Sequence, residues 1–216
     1  MIAIVDYGIG NLGSVAKAFR HLGAQTELTG DHEALRSASA LVLPGDGAFA
    51  AAMDELRRRG LVPLLRRVAE LGTPLFGICI GMQLLFEESE EHGRHAGLGL
   101  LRGRVRRFEE ALVVPHMGWN RLHLRRPHPL LDGIEEGAHV YYVHSYRCEA
   151  EADVTIAESD YGGAFPAAVA SGSLFGVQFH PEKSQAVGLR MIANFVRVCG
   201  ARAGAVSSLA SPAGRA

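Results

Sequence analysis

The chain reads as an α/β protein, and three observations lead there. Through its first hundred residues, short apolar runs alternate with longer amphipathic stretches, as when strands and helices take turns along a chain. Glycine and proline stand where those runs stop, at Gly8 and Gly10, at Gly23 and at Pro44-Gly45. Beyond about residue 100 the runs become short and closely spaced, which adds a strand-rich region to the α/β half.

Taken in order, residues 2–5 predict a buried strand, followed by a Gly-rich turn and a helix over 11–21 that Gly23 is placed to end. Residues 25–28 predict a second strand and 40–43 a third, stopped by Pro44-Gly45. Helices follow over 49–59 and 62–71, then a fully apolar strand over 75–78 and a helix over 82–90. Residues 100–108 and 113–124 read as β-hairpin material, and 140–146, 154–157, 167–170 and 174–179 as further short strands. A last helix is expected over 185–199 with Ser184 as its N-cap, since Val187, Met191, Phe195 and Cys199 recur every four residues. One domain over 1–200 is expected, with a disordered tail over 201–216 that is rich in Ala, Gly and Ser and lacks periodicity.

Composition narrows the function classes. A formal net charge of −1 offers no surface for nucleic acid, and no apolar stretch approaches the roughly 20 residues that span a bilayer. Cys79, Cys148 and Cys199 are too few and too scattered for a disulfide framework. The N-terminus has no basic flank and no long apolar run, so no signal peptide is read there. A cytoplasmic protein is expected, with no cofactor and no metal.

Chemistry concentrates at three strand ends. The string Gly77-Ile78-Cys79-Ile80-Gly81-Met82-Gln83 has an apolar strand running into a Gly-x-Cys-x-Gly turn. That is a nucleophile elbow with cysteine in place of serine. Such a turn strains the nucleophile's backbone, and glycine two residues to either side avoids collision with neighbouring chain. A lone cysteine would more often be a buried structural residue; the flanking glycines argue against that here. A helix beyond the turn favours a thiolate, and the Ile80 N–H becomes an oxyanion donor. The string Gly176-Val177-Gln178-Phe179-His180-Pro181-Glu182 places an imidazole two residues from a carboxylate across a proline, suiting a general base with its orienting acid. Leu43-Pro44-Gly45-Asp46-Gly47 is a Gly-rich turn whose backbone, at Gly45, can supply a second oxyanion donor. His92 and His95 beside Glu90 and Glu91 lack a complete metal-ligand set and read as a solvated loop.

Together these strings resemble the class I, triad-type glutamine amidotransferases, in motif, in order and in a separation of about a hundred residues between Cys79 and His180. The resemblance spans residues 1 to about 200 and implies a mostly parallel central sheet flanked by helices with an added antiparallel β-subregion. It implies a Cys79–His180–Glu182 triad, with Gln83, Glu91, Ser145 and Tyr146 holding the glutamine substrate. A narrower likeness, to glutaminase subunits of imidazole glycerol phosphate synthases, rests on several further strings. These are Asp6-Tyr7-Gly8-Ile9-Gly10-Asn11-Leu12, Gly99-Leu100-Leu101-x-Gly103-x-Val105, Pro115-His116-Met117-Gly118-Trp119-Asn120, His144-Ser145-Tyr146, and Met82 in the elbow. That likeness implies a heterodimer with a (β/α)8 cyclase subunit that consumes the ammonia in histidine biosynthesis. Asn11, Met117, Trp119, Asn120, Tyr141 and Lys183 would face this partner. Asp46 departs from the family pattern, which has an apolar residue there, and is expected to face solvent. Rival readings are a glutaminase of another pathway, a catalytically silent Cys-elbow protein and a cysteine peptidase.

Overall fold

The computed structural model describes residues 1–109 and 112–209, with side chains as far as Gly200. The first half runs β1 (Ile2–Val5), α1 (Leu12–His21), β2 (Thr26–Thr29), α2 (His32–Ser37), β3 (Ala40–Gly45), α3 (Phe49–Arg58), α4 (Leu61–Glu70), β4 (Leu75–Cys79) and α5 (Ile80–Gln83). The strand-rich half runs β5 (Phe86–Ser89), β6 (His95–Ala96), β7 (Leu101–Arg107), β8 (His116–Arg121), β9 (His123–Leu124), β10 (His139–His144), β11 (Tyr146–Ala150), β12 (Thr155–Asp160), β13 (Ala164–Ser171) and β14 (Leu174–Val177), and closes with α6 (Gln185–Leu209).

The main sheet has eight strands in the order β2-β1-β3-β4-β14-β13-β12-β9. Its first five pair in parallel and the rest antiparallel. β1, β3 and β4 are buried at every position, which is why they read as unbroken apolar runs instead of alternating. Helices account for that burial. Phe195 on α6 stacks on Phe76 of β4 at 4.8 Å between ring centroids and meets Phe19 of α1 edge-on at 6.3 Å. Two small sheets sit apart: the antiparallel pair β10-β8 and the four-stranded β11-β7-β5-β6.

Several expectations change. The third strand passes through Pro44 and ends at Gly45, because its pairing with β4 continues to Gly45 opposite Cys79. The helix expected over 82–90 is a four-residue turn of helix followed by a strand. The Leu- and Glu-rich sequence favours helix, but Phe86–Ser89 finds ladder partners in β7 and β6, and pairing overrides propensity. The strands read as hairpin material pair with other strands and not with each other: β7 pairs β11 and β5, β8 pairs β10, and β9 pairs β12. Helix α2 is an addition to the expected elements, and Asp31 caps it by accepting the Ala34 N–H at 2.8 Å. The Ser184 hydroxyl does not cap α6; it donates to His180 O at 2.7 Å and accepts the Tyr141 N–H at 2.9 Å. The last helix continues past Cys199 to Leu209, and residues 210–216 of the expected tail lie outside the described residues.

Candidate active site

Cys79 ends β4 with φ 55° and ψ −113°, in the region L-residues rarely occupy. Such backbone costs on the order of 1–3 kcal/mol and persists where surrounding packing enforces it. The enforcement is close backbone crossing. A Cβ on Gly77 would lie 2.6 Å from the Met82 nitrogen, one on Gly45 would lie 2.7 Å from the Gly81 nitrogen, and one on Gly81 would overlap the Leu43 carbonyl. α5 therefore lies tightly over β3 and β4, and Cys79 turns sharply between them. With four residues, α5 contributes little dipole, so the help to the thiolate expected from a long helix is small.

β14 pairs in parallel beside β4, with Val177 opposite Ile78, so the residues after both strands emerge at the same sheet edge. His180 arrives there in a backbone held by its N–H donating to Tyr141 O at 2.9 Å. Its ring lies with Nδ1 2.9 Å from Glu182 Oε1, both side chains almost wholly buried. A carboxylate accepts, so Nδ1 carries the proton and Nε2 is the nitrogen left facing away from Glu182. Nε2 is buried without a partner of good hydrogen-bond geometry. Burial lowers the ring's pKa, but the adjacent Cys79 sulfur and Glu182 raise it further, to about 10. Both neighbours favour the charged form of the ring.

A pocket of about 200 Å³ opens over Cys79 and Ile80, walled by Asp46, Gly47, Gln83, Glu91, Ser145 and Tyr146. All four residues expected to hold substrate thus line one cavity with Cys79. Glu91 is already half committed: Oε2 accepts the Phe49 N–H and caps α3, which Ala48 cannot do with its own side chain. Gln83 commits both amide hydrogens internally, to Tyr146 O and Gln178 Oε1, each at 3.0 Å, leaving Oε1 without a partner. An acceptor oxygen and a carboxylate on one wall suit an ammonium group. Asp46 is exposed, and its Oδ1 accepts the Gly47 N–H at 2.8 Å, so its carboxylate is turned onto its own loop. Gly45 stands opposite Cys79 in the sheet and Ile80 follows it in the chain, bracketing the nucleophile with backbone.

The residues expected to face a partner divide. Met117 and Trp119 are 62% and 47% exposed on β8, and Trp119 meets Tyr141 of β10 edge-on at 6.0 Å. Asn11 and Lys183 are exposed. Asn120 falls on the other face of β8, where alternation sets it with His116; its amide donates to Asp160 O at 2.8 Å and reaches His116 Nε2 at 3.2 Å. It is tied inward by those bonds rather than presented.

Sequence reasoning left three buried groups without roles. Tyr7 donates its hydroxyl to Pro44 O at 2.7 Å, on the strand carrying Gly45. His116 and His144 bond ring to ring at 3.0 Å, and His144 Nδ1 lies 2.8 Å from Tyr146 O. Gln178 is fully buried, with Nε2 3.9 Å from Cys79 Sγ. Each lies inside a motif quoted above, so the signal was present; apart from Tyr146, two residues from His144, the partners are dozens of residues away in sequence and were not legible. Among the described residues no group of three His, Cys, Asp or Glu is placed to hold a metal, and no helix is long and apolar enough to cross a membrane.

Residues 3–199 match the family model of class I glutamine amidotransferases. The chain is 54% identical to the imidazole glycerol phosphate synthase subunit HisH of Geobacillus kaustophilus, over 94% of this chain and 99% of that one. It is 48% identical to the subunit of the same name from Sulfurimonas denitrificans, over 91% and 98%. Among solved structures, a putative GMP synthase protein from Thermoplasma acidophilum superposes with a TM-score of 0.74 at 18% identity, covering 95% of this chain and 96% of that one. A crystal structure of a glutamine amidotransferase superposes at 0.73 and 21%, covering 92% and 98%. These two likenesses speak for the fold.

Proposed function

The chain belongs to the class I glutamine amidotransferases, and from that premise we propose that it is the glutaminase subunit of an imidazole glycerol phosphate synthase. The observation that carries the reading is the strained Cys79 elbow under a pocket sized for a small amino acid, at the same sheet edge as a buried His180–Glu182 pair. Cys79 attacks the side-chain amide carbon of glutamine. Backbone N–H groups at Ile80 and around Gly45 receive the oxyanion. His180, held by Glu182, gives its proton to the departing ammonia, and the glutamyl thioester forms. His180 then takes a proton from water, which opens the thioester to glutamate. Gln83 Oε1 and Glu91 hold the α-ammonium, with Ser145 and Tyr146 at the α-carboxylate.

The ammonia goes to a cyclase subunit docked over Met117, Trp119, Tyr141, Asn11 and Lys183. Exposed apolar side chains on a short ribbon next to the triad support that placement. The test is Cys79→Ala in the assembled complex. Glutamine-dependent synthesis should vanish while ammonia-dependent synthesis persists. Loss of both in a folded complex would overturn the division of labour. Assay of the free chain against different synthase subunits separates this reading from a glutaminase of another pathway.

A further inference from the structure

We infer that Gln178 is part of the catalytic machinery, a hydrogen-bond donor to the Cys79 sulfur whose orientation is set by Gln83; the inference rests on Cys79 being the nucleophile. The bonding pattern leaves little choice about which way these amides face. The Tyr146 carbonyl can only accept, so the end of the Gln83 amide that meets it at 3.0 Å is nitrogen. The second hydrogen on that nitrogen points to Gln178 at 3.0 Å and needs an oxygen there. The Gln178 amide must therefore turn its NH₂ the other way, onto Cys79 Sγ at 3.9 Å. The Gln178 backbone is equally constrained, its N–H donating to Ala167 O at 2.9 Å just beyond β14. A carbonyl on β11 thus decides, through two glutamines, that the nucleophile faces a donor and not an oxygen lone pair.

The donor has a use at each stage. A buried thiolate loses solvation, and an N–H aimed at it replaces part of what water supplied. It also holds Sγ in one rotamer during attack. Gln178 is 0% exposed and lies outside the pocket wall, so it does not touch bound glutamine. Removing the donor while keeping the oxygen that faces Gln83 should act on turnover and leave substrate affinity alone.

The experiment uses the full chain with its partner, in three forms: wild type, Gln178→Met and Gln178→Glu. Met keeps the bulk and removes the donor; Glu keeps the oxygen that Gln83 needs and places acid beside sulfur. Both should lower kcat about tenfold or more; KM should stay nearly unchanged in Gln178→Glu, which keeps the acceptor for Gln83, and rise in Gln178→Met, which loses it. Both should move the pH profile of iodoacetamide inactivation to higher pH, a readout that loosened packing alone would not displace. If Gln178→Met fails to fold, Gln178→Glu decides. A third readout needs no variant: in the wild-type chain the Gln178 side-chain amide resonance should shift when Cys79 is alkylated. Wild-type turnover and alkylation profiles in folded variants would overturn the inference, and so would an amide resonance indifferent to alkylation. Cys79→Ala is the control: if it keeps glutaminase activity, the nucleophile assignment itself fails, whereas an inactive Cys79→Ala beside fully active Gln178 variants sinks only the role given to Gln178.

Discussion

The parallel edge of the main sheet and the β8–β10 ribbon invert each other. At the sheet edge, the apolar strands are buried apart from Leu174 at the start of β14, and polar groups appear where β3, β4 and β14 end. On the ribbon, two histidines lie inside while two large apolar side chains lie outside: His116 and His144 are 4% and 5% exposed, against 62% and 47% for Met117 and Trp119. The first arrangement holds Cys79, His180 and Glu182 in place by packing. The second holds itself by hydrogen bonds and leaves its apolar face to be covered. The two meet at Tyr146, whose carbonyl accepts from His144 on the ribbon side and from Gln83 on the elbow side.

The comparison can be broken most sharply at the triad. Glu182→Ala should lower glutaminase turnover on the order of 10³–10⁴-fold, because the imidazole loses both its tautomer and the charge that supports its cation. Steady-state assay of the activated complex measures it. A fall of only a few-fold would show that the ring is held by packing alone.

Gly81→Ala should be the most damaging substitution for the fold at this edge. Its methyl group would overlap the Leu43 carbonyl, which β3 cannot move without losing register with β4. Overpacking of this kind costs about 1–3 kcal/mol or more, read as a lowered denaturation midpoint. Gly118→Ala on the ribbon meets open space and bears only the strain of its positive φ of 128°, so it should cost less.

The ribbon has a pH dependence of its own. Burial holds His144 at a pKa of about 3, with the charges of His116 and His180 adding to it, and burial holds His116 at about 4. Both lie below the unfolded value near 6.5. Between pH 6.5 and about 4 the unfolded chain therefore binds protons that the folded chain refuses. Stability from this pair is full above pH 6.5 and declines as pH falls through that window. His144→Phe should flatten the part of the melting-temperature curve between pH 6.5 and 4. An unchanged slope would mean that the pair does not titrate as a buried unit.

Trp119→Ala should be the mildest change to the free chain, within about 0.5 kcal/mol of wild type since the side chain is half exposed. Its effect should show only with the cyclase, as weakened activation at an unaltered basal rate. Equal activation in the variant would remove Trp119 from the docking face.

Much of the elbow was legible because its signals are local. Gly77, Gly45 and Gly81 announce close backbone crossing wherever the strands go, and Cys79 between glycines declares a strained turn. His180-Pro181-Glu182 carries its own pairing within three residues. The Phe86–Ser89 strand was not legible, because a run of Leu, Phe and Glu becomes strand only when β7 and β6 are beside it. The same holds for the inward turn of Asn120 and for the fates of β7, β8 and β9.

What the sequence determined alone is the set of groups whose arrangement depends on near neighbours: the cysteine between its glycines, the His180–Glu182 pair and the α/β class that carries them. What tertiary structure decided is every relation set by non-local register. It put β14 beside β4, so that Cys79 and His180 share an edge about a hundred residues apart in sequence. It aimed the Gln178 amide at the sulfur through Gln83 and Tyr146. Strand pairing has no short-range code, since each ladder bond is satisfied equally well by any backbone, and only the packed whole selects which one it meets.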